Sequence, residues 1–63
     1  MYYLEEYSGM YGILCEETGE HFPISNDKKL VMELLEQVNE FEADPIHLPD
    51  IIHDFLYEKF MIV

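Results

Sequence analysis

Hydrophobic positions change their spacing once along the chain, near residue 25. Before that point they cluster in short runs punctuated by glycine. Tyr2, Tyr3, Leu4 and Tyr7 predict a strand near residues 2–7, and Ser8-Gly9 reads as the turn after it. Tyr11, Ile13 and Cys15 alternate with Gly12, Leu14 and Glu16, which predicts a second strand near 11–16 with the first three on one face. Glu16-Glu17-Thr18-Gly19 closes that strand, and His21 to Ile24 predicts a short third one.

Beyond Ser25-Asn26-Asp27 the period becomes helical. Any of these three residues can cap a helix, and each is a poor strand former. Leu30, Leu34, Leu35, Val38 and Phe41 then recur at helical spacing, with Val31 beside them, over a helix expected near 27–42. Pro45 and Pro49 stop it from continuing, because proline lacks an amide donor and clashes one turn back. Asp44-Pro45 starts a turn, and Pro49 suits the first position of a second helix near 49–60. Its apolar stripe reads Ile51, Ile52, Phe55, Leu56 and Phe60. The expected architecture is α+β: a three-stranded antiparallel meander followed by two helices packed on one face, with residues 1–63 forming a single domain.

Size limits what such a domain can do. At 63 residues it buries only about 60% of the surface its unfolded chain exposes. Cys15 is the only cysteine, so no disulfide forms within the chain, and the thiol is expected to be a small core group. Its sequence neighbourhood holds no basic residue to lower its pKa. The N-terminus has no basic region, and no apolar run reaches the roughly 20 residues of a membrane span, so the expectation is a soluble, cytoplasmic protein.

Charge changes the picture most. Fourteen acidic residues face only Lys28, Lys29 and Lys59, for a net charge of −11. Such a field repels phosphate, which argues against direct nucleic-acid binding or an anionic membrane, and it attracts basic surfaces. High hydrophobic content, 49% of the residues, argues against the disorder that often accompanies such charge.

The densest candidate chemistry lies between Asp44 and Leu56. His47, Asp50, His53 and Asp54 fall within eight residues, the raw material of a metal- or small-molecule-sensing module. Asp50 and Asp54 share a helix face, but His53 is turned about 100° from Asp54 and His47 precedes the helix. A zinc site needs three or four ligands converging on one point. The expectation is therefore no metal and no cofactor, with this stretch serving as a turn and a helix start. No nucleophile has a base and orienter beside it, and no phosphate-cradling glycine loop exists, so an enzyme is not expected.

Tyrosine carries a different signal. Tyr2, Tyr3, Tyr7 and Tyr11 lie in the meander and Tyr57 in the second helix, more rings than one side of so small a sheet can bury. Tyrosine suits surfaces that are apolar in body and wet at the tip. The acids fall in two helical rows, Glu33-Glu36-Glu40 and Asp50-Asp54-Glu58, each stepping about 5–6 Å per turn.

Particular strings also stand out: Tyr11-Gly12-Ile13, Ile24-Ser25-Asn26-Asp27, and Pro45-Ile46-His47-Leu48 followed by Asp50-Ile51-Ile52. Through them the segment from Phe22 to Phe60 resembles a small family of uncharacterised proteins of Firmicutes bacteria. The resemblance implies a host range and a common fold, and it brings no catalytic residues.

These readings converge on a small acidic, non-enzymatic protein that binds a protein partner with a basic surface. Tyr2, Tyr3, Tyr7 and Tyr11 and the six row carboxylates are the expected contacts, and a homodimer is expected through the tyrosine face and the Phe60–Val63 tail. A narrower version is a DNA mimic, of the kind phages and mobile elements direct against restriction or CRISPR systems, whose carboxylate rows replace phosphates in an Arg/Lys cleft.

Overall fold

The computed structural model describes residues 1–61, with residue 61 described by its backbone alone. The chain runs β1 (Tyr2–Tyr7), β2 (Met10–Cys15), β3 (His21–Ser25), α1 (Lys28–Glu40), a 3-10 turn (Pro45–His47) and α2 (Leu48–Met61). The strands form an antiparallel sheet in the order β1-β2-β3. This is the α+β meander-then-helices architecture that the spacing predicts, with boundaries moved by one or two residues.

Local chemistry explains the moves. Ser8 and Gly9 both have positive φ, 52° and 81°, the mirror-image turn that joins hairpin strands through two residues. Met10 therefore pairs with Tyr7, and β2 begins one residue earlier than expected. Between β2 and β3 the register shifts at Tyr11/Gly12. A side chain on Gly12 would collide with the Phe22 carbonyl oxygen and lie 2.9 Å from Pro23 Cα, so the position demands glycine.

Asp27 caps α1, its carboxylate accepting from the Leu30 amide at 3.3 Å. The helix ends at Glu40, before the expected limit, because Glu42 turns left-handed with φ 50°. The Glu42 amide donates to the Asn39 carbonyl and the Ala43 amide to the Val38 carbonyl, a Schellman termination built without glycine. Phe41 is thereby thrown out of the stripe and is 76% exposed, contrary to expectation.

Asp44 accepts from the Ile46 amide and opens the 3-10 turn at Pro45. The turn runs directly into α2, so Leu48 becomes the first residue of the helix and is fully buried. Tyr2, Ile13, Cys15, Leu30, Val31, Leu34, Val38, Leu48 and Phe55 form one buried cluster drawn from β1, β2 and both helices. Helix α1 lies against all three strands, whereas the backbone of α2 stays close mainly to the 3-10 turn before it. Ile51, Ile52 and Leu56 are only half-buried and Phe60 is exposed, so the second apolar stripe is shallower than its sequence predicts.

Candidate partner-binding surface

One face of the meander has no helix on it. Strand register lines up Tyr3, Leu14 and His21 in a row across this outer face, then Glu5, Gly12 and Pro23, then Tyr7 and Met10 at the hairpin end. Tyr3, Tyr7 and Met10 are exposed. Because Gly12 carries no side chain, β1 and β3 communicate across the middle row: His21 Nδ1 lies 2.6 Å from Glu5 Oε1. A shallow depression of about 300 Å³ opens between Glu5, Tyr7, His21 and Pro23. The face is thus apolar and aromatic with one carboxylate already partnered.

Two of the four meander tyrosines are not on it. Period-two alternation turns Tyr2 inward with Leu4, and Tyr2 is buried with its hydroxyl donating to the Ala43 carbonyl. Tyr11 also points inward, half-buried against the core. Of the four tyrosines expected as partner contacts, Tyr3 and Tyr7 lie on the open face, whereas Tyr2 and Tyr11 face the core and are not available there. Tyr57, on α2, is exposed elsewhere.

Both carboxylate rows are exposed as expected: Glu33, Glu36 and Glu40 on α1, and Asp50, Asp54 and Glu58 on α2. They are not equally free. Lys59 Nζ lies 3.0 Å from Glu33 Oε1, joining the two helices, and its ammonium sits 5.4 Å from the Phe55 ring centre. The other ion pairs among the described residues are His21–Glu5, the Met1 amino group with Glu16 at 3.8 Å, and His53–Asp54 at 4.0 Å. Glu36, Glu40, Asp50 and Glu58 lie outside all of these.

The His47, Asp50, His53 and Asp54 cluster does not converge. All four side chains are exposed, His47 on the 3-10 turn and the others on α2. Among the described residues no three His, Cys, Asp or Glu side chains are placed to hold one metal ion.

Cys15 is buried, as its alternation requires, but its surroundings differ from the sequence-based expectation. The Thr18 side chain and the Thr18 and Glu17 backbone hydrogen-bond to the thiol and hold its pKa below the ordinary value, against the opposing effect of burial. The cause is turn geometry, which a search for basic neighbours does not detect. A cleft of about 340 Å³ adjoins it, lined in part by Tyr2, Glu17, Asn39 and Ala43.

Asn39 is the residue that the periodicity hides. Its side-chain oxygen accepts from the Tyr2 amide at 2.9 Å, and its side-chain nitrogen donates to the Tyr2 carbonyl at 3.0 Å. One amide side chain thus pairs with the edge of β1 as a neighbouring strand would. Only the pairing of α1 with β1 shows this; in sequence, Asn39 is one more polar helix residue.

The fold defines a small α+β meander protein, and the chain belongs to a family of unknown function, DUF6514, which matches residues 2–58. The match begins in β1 and runs into α2, so it covers the N-terminal strand as well as most of the segment from Phe22 to Phe60. No curated protein and no solved structure matches the chain significantly. No helix among the described residues is long and apolar enough to cross a membrane.

Proposed function

We propose that this is a non-enzymatic cytoplasmic protein that acts by binding a protein partner through a basic surface on that partner. The observation that carries this reading is the imbalance of exposed charge. Carboxylates line two helices, the net charge is −11, and one of only three lysines is already engaged by Glu33. Such a surface raises the encounter rate with a basic partner and suppresses non-specific contact with acidic ones. The narrower form is a DNA mimic occupying the Arg/Lys cleft of a nucleic-acid-handling system, with Asp50, Asp54 and Glu58 as its least encumbered row.

The test is capture of partners from the source organism, followed by the triple substitution Asp50→Asn, Asp54→Asn, Glu58→Gln. The expected result is a partner whose association weakens steeply with salt and is lost in the variant. A partner held equally well by the variant would remove the α2 row from the interface. Displacement of DNA from the captured partner distinguishes mimicry from ordinary docking.

Self-association is a second reading, favoured by the exposed Tyr3, Tyr7 and Met10 around a carboxylate that His21 already engages. The Phe60–Val63 tail also expected there lies partly outside the described residues. Sedimentation equilibrium across micromolar concentrations decides it: a homodimer dissociates in Tyr3→Asp, and a monomer at every concentration removes the reading.

A further inference from the structure

The two edges of the sheet differ, and the difference selects an occupant. On β3, the Cys15 amide donates to the Glu20 carbonyl, so Glu20 and, two residues on, Phe22 face β2. His21 and Pro23 are left on the outer edge, and Pro23 has no amide to offer. That edge is closed to regular pairing. On β1 the Tyr2 amide and carbonyl point away from β2, since Asn39 binds both. The period of two then places the amides and carbonyls of Leu4 and Glu6 on the same outer edge. Neither has a hydrogen-bond partner there among the described residues. Asn39 holds the first rung of a missing strand, and the next two rungs are vacant.

A second copy of the chain fits poorly. Antiparallel self-pairing with Leu4 opposite Leu4 would bring Glu6 against Tyr2, where Asn39 already stands. Pairing Leu4 with Glu6 puts Glu5 opposite Glu5, and the remaining register puts Glu6 opposite Glu6. Like charges directly across a strand pair are destabilising. The same carboxylates favour an opposite-charged strand.

We propose that β1 is a docking edge for an extended, basic segment of a partner protein, which adds as an antiparallel fourth strand beside Leu4 and Glu6. Main-chain hydrogen bonds supply the pairing and alternate side chains the choice of sequence. Lysine or arginine stands opposite Glu6 and Glu5, an aliphatic residue opposite Leu4, and β-branched residues opposite Tyr7 and Tyr3. The inference rests on the basic-partner reading above and narrows it to an edge and a segment.

The test titrates isotope-labelled protein with a synthetic acetylated, amidated peptide, Ser-Val-Lys-Lys-Val-Thr-Ser, at low salt, following backbone amide resonances. Expected are shifts centred on Leu4 and Glu6, and loss of about tenfold in affinity when the peptide amides facing β1 are N-methylated. Glu6→Lys, an exposed change whose fold is checked by circular dichroism, is expected to weaken this peptide about tenfold and to bind its Glu-for-Lys counterpart instead. Shifts confined to the helix carboxylates would overturn the edge while leaving the basic-partner reading intact. Shifts of Leu4 and Glu6 with protein concentration alone would overturn it in favour of a second copy. No shifts at any peptide concentration would overturn it outright, whereas a captured partner lost with the α2 row substitutions would still uphold the broader reading.

Discussion

Helices α1 and α2 are nearly equal in length, 13 and 14 residues, yet they belong to the core in different degrees. Helix α1 buries Leu30, Val31, Leu34 and Val38 along one stripe against all three strands. Among its described side chains, helix α2 fully commits only Leu48 and Phe55, and leaves Ile51, Ile52 and Leu56 half-covered. The teaching is that hydrophobic content and core membership are separate properties. Helix α2 is the more apolar in sequence, but α1 holds the better-segregated face, and the sheet accepts segregation rather than quantity.

Leu34→Ala is the largest expected effect. The side chain is fully buried, and its truncation should cost about 3 kcal/mol, enough to unfold much of so small a domain. Leu56→Ala, half-buried on α2, should cost about 1 kcal/mol. Urea titrations measure both. Equal losses would erase the distinction between the helices. Native-state hydrogen exchange sharpens it, with α2 amides expected to open at lower free energy than those of Leu34 to Val38.

Tyr2→Phe comes next, because it removes the hydroxyl that serves the Ala43 carbonyl at the end of α1. About 1 kcal/mol should be lost at neutral pH. Burial first, then the nearby Cys15, Asp44 and Glu17 charges, raise the Tyr2 phenol above its ordinary 10.0. A folded-state pKa above the unfolded one means that the fold stabilises the neutral phenol. That contribution is complete below pH 10 and is lost as pH rises through the folded value. The wild-type protein should therefore lose stability in alkali more steeply than Tyr2→Phe, and parallel curves would contradict the assignment.

Glu42→Gly should act in the opposite direction. A left-handed non-glycine residue carries strain of about 1–2 kcal/mol, partly offset by the added freedom of glycine in the unfolded chain. A net gain of about 0.5–1 kcal/mol is expected in a thermal melt. Lys59→Met is the smallest change. It breaks the exposed bridge from α2 to Glu33 but retains an apolar stem over Phe55, so about 0.5 kcal/mol or less should be lost. Added monovalent salt should still raise the melting temperature of both proteins, because screening relieves repulsion among fourteen acids.

The elements were readable because each depends on near neighbours. Ser8-Gly9, Asp27, Pro45 and the two hydrophobic periods act over a few residues, and these alone recover the strands and helices in order. What escaped depends on distant partners or on fine geometry. Phe41 and Phe60 continue their stripes in sequence, but one lies just past the helix end at Glu40 and the other beyond the reach of the sheet. Leu48 looked like turn material because two prolines flank its segment, whereas the 3-10 turn feeds it straight into the core. Tyr2 looked like surface because its ring is amphipathic, yet its acceptor lies 41 positions away. Of the candidate surface, the carboxylate rows were legible from helical spacing alone, and half of the tyrosine set was not.

The amide clamp of Asn39 has a consequence for the order of assembly. Tyr2 is synthesised well before the groups that secure it, Asn39 and Ala43, which come 37 and 41 residues later. During translation the β1–β2 hairpin can close locally in microseconds, while its outer edge waits for α1 to be completed and docked. Closing so long a loop is the slow, entropically costly step for this topology. Strand β1 is therefore made before β2 and β3 yet fastened after them, and until then every rung of its edge is open to whatever strand lies nearby.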